Sequence, residues 1–80
     1  MGQVIRYKNI SITIRSDDHE PPHIHAIGPG AEAKIEILTG TVVWSYGFSR
    51  KALDEILQLV LSRQFELMEK WYEIHGENEE

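Results

Sequence analysis

The amino-acid sequence predicts an α+β fold, in which an antiparallel β-meander of three to five strands packs against one long C-terminal α-helix. Two observations lead to this fold class. In the first half of the chain, apolar and polar residues alternate with a period of two, and in the last third the apolar residues recur with a helical period. A chain of 80 residues has room for one domain. We expect that domain to comprise residues 1–76, followed by an acidic, frayed tail at residues 77–80.

Five segments carry the strand pattern, and turn residues separate them. In the second segment Ile10, Ile12 and Ile14 alternate with polar residues, as in a strand with one buried face. Lys8-Asn9, Gly28-Pro29-Gly30 and Thr39-Gly40 supply turn residues between segments. The predicted strands are residues 3–7, 10–14, 23–27, 33–38 and 41–46. The last of these is β-branched and aromatic, and we expect its Trp44 and Tyr46 to pack in the core or on the sheet face.

A single helix is predicted from Ser49 to His75. Ser49 is a suitable N-cap residue, Gly76 is a suitable stop, and the interior contains neither glycine nor proline. The apolar residues cover about half of the helix circumference. Because this arc, which includes Met68 and Trp71, is longer than a small sheet can cover, it needs another partner. Either loops and the first strand wrap it, or the C-terminal helices form a homodimer.

Composition and charge exclude several classes of protein. The chain has no cysteine, which excludes disulfides, thiolate metal sites and cysteine nucleophiles. It has neither an apolar run of membrane-spanning length nor a signal-peptide pattern, so we expect a cytoplasmic protein with no membrane partner. The net charge of −5 argues against general nucleic-acid binding. That charge resides entirely in the segment from Glu66 onward, which leaves a local neutral or basic site open.

The candidate site is the stretch of residues 17–25, which contains three of the four histidines. Pro21-Pro22 stiffens the backbone here. We expect trans peptide bonds at both prolines, with one cis bond as the alternative. His23 and His25 are two residues apart on a strand, so their side chains share one face, while Ile24 faces the core. We therefore expect the two imidazoles to point outward or into a cleft, with Asp18 and His19 beside them.

The sequence resembles a bacterial protein family known as domain of unknown function 4160. The resemblance covers essentially the whole chain and is most specific in DDHEPPHIHA, with weaker matches in AEAKIEIL, GFSRKALDEILQLV and the final helix with Trp71. It implies a small cytoplasmic protein whose gene neighbours that of another small protein, the pair forming a toxin–antitoxin-like module. The resemblance assigns no catalytic role to the matching residues, which are Asp18, His19, Pro21, Pro22, His23, His25 and Phe48.

Three interpretations of the histidines stay open at this point. In the first interpretation the imidazoles form hydrogen bonds with backbone groups and with Asp17 or Asp18, which is a structural role. Alternatively, His19, His23 and His25 bind a divalent metal such as zinc, nickel or copper, since imidazole nitrogen suits these ions. In the third interpretation the same histidines are catalytic and share general acid and base roles on a phosphodiester.

Arg50 and Lys51 belong to the third interpretation. These two cations lie at the predicted helix start, where positive charge is unfavourable, and this indicates a nearby anion or acidic partner. With Asp18 they form the predicted binding residues, and in a ribonuclease they would stabilise the charge of the phosphorane.

The leading functional hypothesis is an interaction module of a two-gene system that acts through protein–protein contact. The alternative is an enzyme, either a histidine-dependent ribonuclease or a metal-assisted hydrolase that uses His19, His23 and His25. The geometry of the rings separates the two hypotheses. Rings that converge on an open cleft favour the enzyme, whereas buried rings bonded to the backbone favour the module.

Overall fold

Five antiparallel strands form one sheet in which the spatial order follows the sequence order. The structure, a computed structural model, describes residues 3–76, apart from the side chains of Gln3 and Val4. The predicted acidic tail at residues 77–80 lies outside the described residues. The strands are β1 (Gln3–Tyr7), β2 (Ile10–Thr13), β3 (His23–Gly28), β4 (Ala31–Glu36) and β5 (Val42–Tyr46).

The predicted meander is confirmed, with one strand shifted by two residues. We expected the fourth strand at residues 33–38, but β4 begins at Ala31. Gly30 has a φ of +66° and is the second residue of a two-residue turn. This turn pairs Gly28 directly with Ala31. The strand ends at Glu36, where the backbone N–H of Glu36 donates to the carbonyl of Thr41 and closes the next turn.

The apolar face of the sheet forms the core together with the helices. Alternating residues of the three central strands, among them Ile12, Ile24 and Ile35, are fully buried. Ile56, Val60 and Leu67 from the helices complete this cluster. The predicted orientation of Ile24 is therefore confirmed.

Two helices follow the sheet, not the one long helix that we predicted. They are α1 (Arg50–Ser62) and α2 (Gln64–His75), separated at Arg63, whose ψ of +24° is not helical. The hydroxyl of Ser62 donates to the carbonyl of Leu59, a bond that competes with the helical backbone pattern and bends helices. In addition, the amide of Gln64 donates to the carbonyls of Ile37 and Leu38, which ties the start of α2 to the end of β4.

The break between the two helices alters the predicted apolar arc. Leu67 and Trp71 are buried within the chain itself, and Met68 packs partly against the same core. Trp71 therefore needs no second subunit, contrary to our expectation for this residue. Phe65 remains 79% exposed, and Tyr72 is exposed on α2 as well. No helix in residues 3–76 is both long and apolar enough to cross a membrane.

The start of α1 offers a test of the predicted cap. The hydroxyl of Ser49 accepts a hydrogen bond from the backbone N–H of Ala52 at 3.0 Å. Ser49→Ala removes this acceptor and is expected to lower the free energy of unfolding by about 1 kcal/mol, measured by urea denaturation. Ser49→Asp restores an acceptor and should recover most of the loss. Equal stabilities of the alanine variant and the wild type would contradict the cap.

Candidate functional site

His23 and His25 extend from the same face of β3, as the sequence predicts. They pair with Glu36 and Lys34 of β4, on the side of the sheet opposite to Ile24. The two rings meet edge to face, with centroids 5.2 Å apart. The strand period therefore brings two imidazoles into direct contact.

The expectation that these rings face outward or line a cleft is wrong. His23 is 3% exposed and His25 is 5% exposed. Aromatic side chains from two other elements contact them. The ring of Trp71 from α2 lies 5.5 Å from that of His23, and the ring of Trp44 from β5 lies 5.9 Å from that of His25. The burial of the two rings is a result of the tertiary structure, because neither tryptophan is near the histidines in sequence.

Asp18 lies in a tight turn that brings its carboxylate to both histidines. The backbone N–H of Asp18 donates to the carbonyl of Arg15, and the backbone N–H of Arg15 donates to Oδ2 of Asp18. The turn places Oδ2 of Asp18 3.3 Å from Nε2 of His23, and Oδ1 3.6 Å from Nε2 of His25. Asp18, His23 and His25 thus form a compact cluster, with one potential ligand atom from each residue within 4.8 Å of the others.

The other ring nitrogen of each histidine has its own acceptor. Nδ1 of His23 lies 2.9 Å from the carbonyl oxygen of Pro21, and Nδ1 of His25 lies 3.2 Å from Oε2 of Glu32. Both partners accept hydrogen bonds, so each Nδ1 carries the proton. In a neutral imidazole the lone pair then belongs to Nε2, which is the atom that faces Asp18.

Two further side chains hold Glu32 in place. Nη2 of Arg15 lies 3.3 Å from Oε2 of Glu32, and the hydroxyl of Tyr46 donates to Oε1 at 3.4 Å. The sequence analysis missed Glu32 as a site residue. The sequence did contain a signal for Glu32, which is the tight turn at Gly28-Pro29-Gly30. This turn sets a register in which Glu32 lies on the same face as His25, as its diagonal neighbour on the adjacent strand.

Burial has the largest effect on the pKa of His25. Removal from water is the main cause that lowers the pKa of His25 below its usual value, and the Arg15 guanidinium lowers it further. The carboxylates of Asp18 and Glu32 act in the opposite direction and offset this only in part. The environment therefore favours a neutral imidazole at position 25.

The remaining predicted site residues lie outside this cluster. His19 is exposed, and the metal-ligand group found among residues 3–76 contains Asp18 in its place. Arg50 and Lys51 are exposed in the first turn of α1, and no described contact links them to the histidines. Our expectation of trans prolines is wrong at one bond, since the Glu20–Pro21 peptide is cis.

Comparison with known proteins places the chain in a family. The model of a domain of unknown function, DUF4160, matches residues 9–72, well over half of the sequence. The chain belongs to this family. The matched region contains all five residues that carry the site geometry, which are Asp18, Pro21, His23, His25 and Glu32. No curated protein and no solved structure matches the chain.

Proposed function

We propose that this DUF4160 domain is a protein-interaction module of a toxin–antitoxin-like pair that works in the cytoplasm. Its partner is the small protein encoded by the neighbouring gene, and β5 is the surface that binds it. The observation that carries the proposal is the character of β5, which is the last strand of the sheet and contains no charged residue. A strand at a sheet edge offers backbone groups to which a second chain can add a strand.

The two edges of the sheet differ in their protection against such pairing. β1 carries Arg6, and its pairing with β2 is irregular between Gln3 and Ile5, both features that discourage strand addition. β5 has an irregularity at Val43 but no charge, and Val43 is an exposed large apolar residue. This contrast supports β5 as the binding edge.

An aromatic pair next to this edge adds apolar area for a partner. Trp44 and Tyr46 stack with ring centroids 6.3 Å apart and an interplanar angle of 9°, as expected for packing on the sheet face. Trp44 is 41% exposed and Tyr46 is 58% exposed. Exposed tryptophan and tyrosine are the residues that most often contribute large binding energies in protein interfaces.

The burial of the histidines weighs against the alternative function, a histidine-dependent ribonuclease or metal-assisted hydrolase. A general acid and base must reach the atoms of the substrate, within about 2.6–3.2 Å of the proton that is transferred. His23 and His25 are buried and bonded within the chain, and His19 is exposed and does not belong to their ligand group. If the alternative were correct, purified protein would cleave RNA, and His23→Ala and His25→Ala would each abolish the cleavage.

A positive charge on β5 should strongly weaken binding of the partner. With the neighbouring-gene protein co-expressed and captured by its own tag, we expect Val43→Lys to reduce recovery of the domain at least about tenfold, the effect of 1.4 kcal/mol. The physical reason is that a lysine on an edge strand opposes strand addition. Circular dichroism and thermal unfolding should show an intact fold, because Val43 is a surface residue.

Phe65→Lys is the matched control, since it also replaces an exposed apolar residue by lysine, but on α2. This variant should bind the partner as the wild type does. The same variant tests the homodimer that we propose through the C-terminal helices, where Leu61, Phe65 and Tyr72 are exposed. Sedimentation should show a dimer for the wild type and a monomer for Phe65→Lys. Loss of the partner in Phe65→Lys but not in Val43→Lys would contradict β5 as the binding edge.

A further inference from the structure

Potential metal ligands converge in the Asp18, His23 and His25 cluster, with one ligand atom from each residue within 4.8 Å of the others. Pro21 and Glu32 can only accept hydrogen bonds, so Nδ1 of each imidazole carries a proton. When both rings are neutral, Nε2 of each ring has the lone pair and faces the carboxylate of Asp18. A positive charge between these three acceptors would then stabilise the arrangement.

We propose that Asp18, His23 and His25 bind a divalent transition-metal ion of the zinc type. The carboxylate of Asp18 and the two Nε2 atoms are the ligands. A metal ion supplies that positive charge and binds neutral imidazoles and an ionised carboxylate. Our sequence-based ligand set is thereby revised, with Asp18 in the position that we had given to His19.

The spacing of the ligand atoms fits this ion. Zinc bonds to imidazole nitrogen and carboxylate oxygen are about 2.0–2.1 Å long, so two ligands of a tetrahedral ion lie about 3.3–3.4 Å apart. The observed separations between Asp18 and the two Nε2 atoms are 3.3 Å and 3.6 Å. The two pairs of Asp18 oxygen and imidazole Nε2 therefore have nearly the spacing of zinc ligands, and a water molecule would complete a tetrahedral shell.

The surroundings of the ligands are also those of a metal centre. Metal-binding histidines usually donate their second ring nitrogen to a carbonyl or carboxylate, which fixes the tautomer and the ring orientation. His23 has the first type of partner in Pro21, and His25 has the second type in Glu32. Arg15 and Tyr46 in turn fix Glu32.

A proton is the competing occupant of the cluster. It would make one histidine a buried imidazolium that donates from Nε2 to Asp18. The metal and the proton predict opposite effects of an uncharged replacement for Asp18, and this difference provides the test.

The direct test is titration of the untagged, chelator-treated chain with Zn²⁺ and with Co²⁺. We expect one ion per chain, the intense visible absorption of tetrahedral Co²⁺, and a rise of the melting temperature with Zn²⁺. His25→Ala should weaken Zn²⁺ binding by more than about 100-fold, and Glu32→Gln by about 10–100-fold. His19→Ala is the matched control from the same motif and should bind as the wild type does. No saturable binding in the wild type, or equal losses in His19→Ala and His25→Ala, would overturn the proposal.

A second variant keeps the proposal testable if His25→Ala does not fold. Asp18→Asn keeps the shape and keeps an acceptor for the Arg15 backbone N–H, but its amide can donate to an imidazole Nε2. Without metal, we expect this variant to melt at a higher temperature than the metal-free wild type, and to gain no stability from Zn²⁺. A lower melting temperature than that of the metal-free wild type would show that a proton fills the cluster, and would overturn the metal site.

Discussion

Trp71→Ala is expected to lower the free energy of unfolding by about 3–5 kcal/mol, the range for removal of a large buried aromatic side chain. Trp71 is 1% exposed and belongs to the core cluster. It stacks on His75 with ring centroids 3.7 Å apart, and its other ring contact is His23 of the candidate site. The substitution leaves a cavity between the core and the site, so both should loosen.

Trp44→Ala is the matched control for this experiment. Trp44 is the only other tryptophan, and much of its side chain is exposed, so its removal should cost less than about 1 kcal/mol. Urea denaturation of the two variants measures the difference. A domain of this size has a total stability of about 4–12 kcal/mol, and Trp71→Ala is therefore expected to remove a large share of it. Similar costs for the two tryptophans would contradict the internal position of Trp71.

Gly47→Ala is expected to destabilise the fold by more than about 3 kcal/mol, because two penalties combine. Gly47 has a φ of +82°, in the region that favours glycine. A methyl group there would also overlap the carbonyl oxygen of Gly30 and approach Cα of Ala31 to 2.7 Å. Those atoms are backbone in the β3–β4 turn, so they cannot move aside as a flexible side chain would. The consequence is a shift of β5 away from the turn.

Gly30→Ala separates the two penalties. Gly30 also has a positive φ, of +66°, but a methyl group there would meet no atom within 4 Å. We expect a cost of about 1 kcal/mol from the backbone conformation alone. Thermal and urea unfolding should therefore show that the Gly47→Ala variant is much less stable than the Gly30→Ala variant. Equal costs would mean that the contact between Gly47 and the turn does not constrain the fold.

Local patterns predicted the parts of the fold that depend on near neighbours in sequence. The period of two predicted a meander of three to five strands, and it placed His23 and His25 on one face with Ile24 on the other. Ser49 and Gly76 marked the first and last helix boundaries correctly, because caps satisfy backbone groups within one turn. The break at Arg63 was missed. Its causes include the hydrogen bonds from Gln64 to the carbonyls of Ile37 and Leu38, just after β4. The helical period of the sequence gives no sign of these bonds.

The candidate site was predicted in part for the same physical reason. Sequence spacing gave the two histidines, while Glu32 follows only from the register that the β3–β4 turn sets. The exposed position of His19 and the position of Asp18 beside the rings depend on how the turn at residues 15–18 closes. A turn is a local structure, but the direction in which its side chains point depends on the sheet beneath it.

An α+β protein with a strand meander, a C-terminal helical region, a buried Ile24 and a pair of histidines on one strand face could be predicted from the amino-acid sequence. These features follow from periodicities that act over a few residues. The burial of the histidines, their contacts with Asp18 and Glu32, and the internal position of Trp71 could not be predicted in this way. Burial depends on contacts between elements that are distant in sequence. Trp71 is 48 positions after His23, and no local pattern links the two residues.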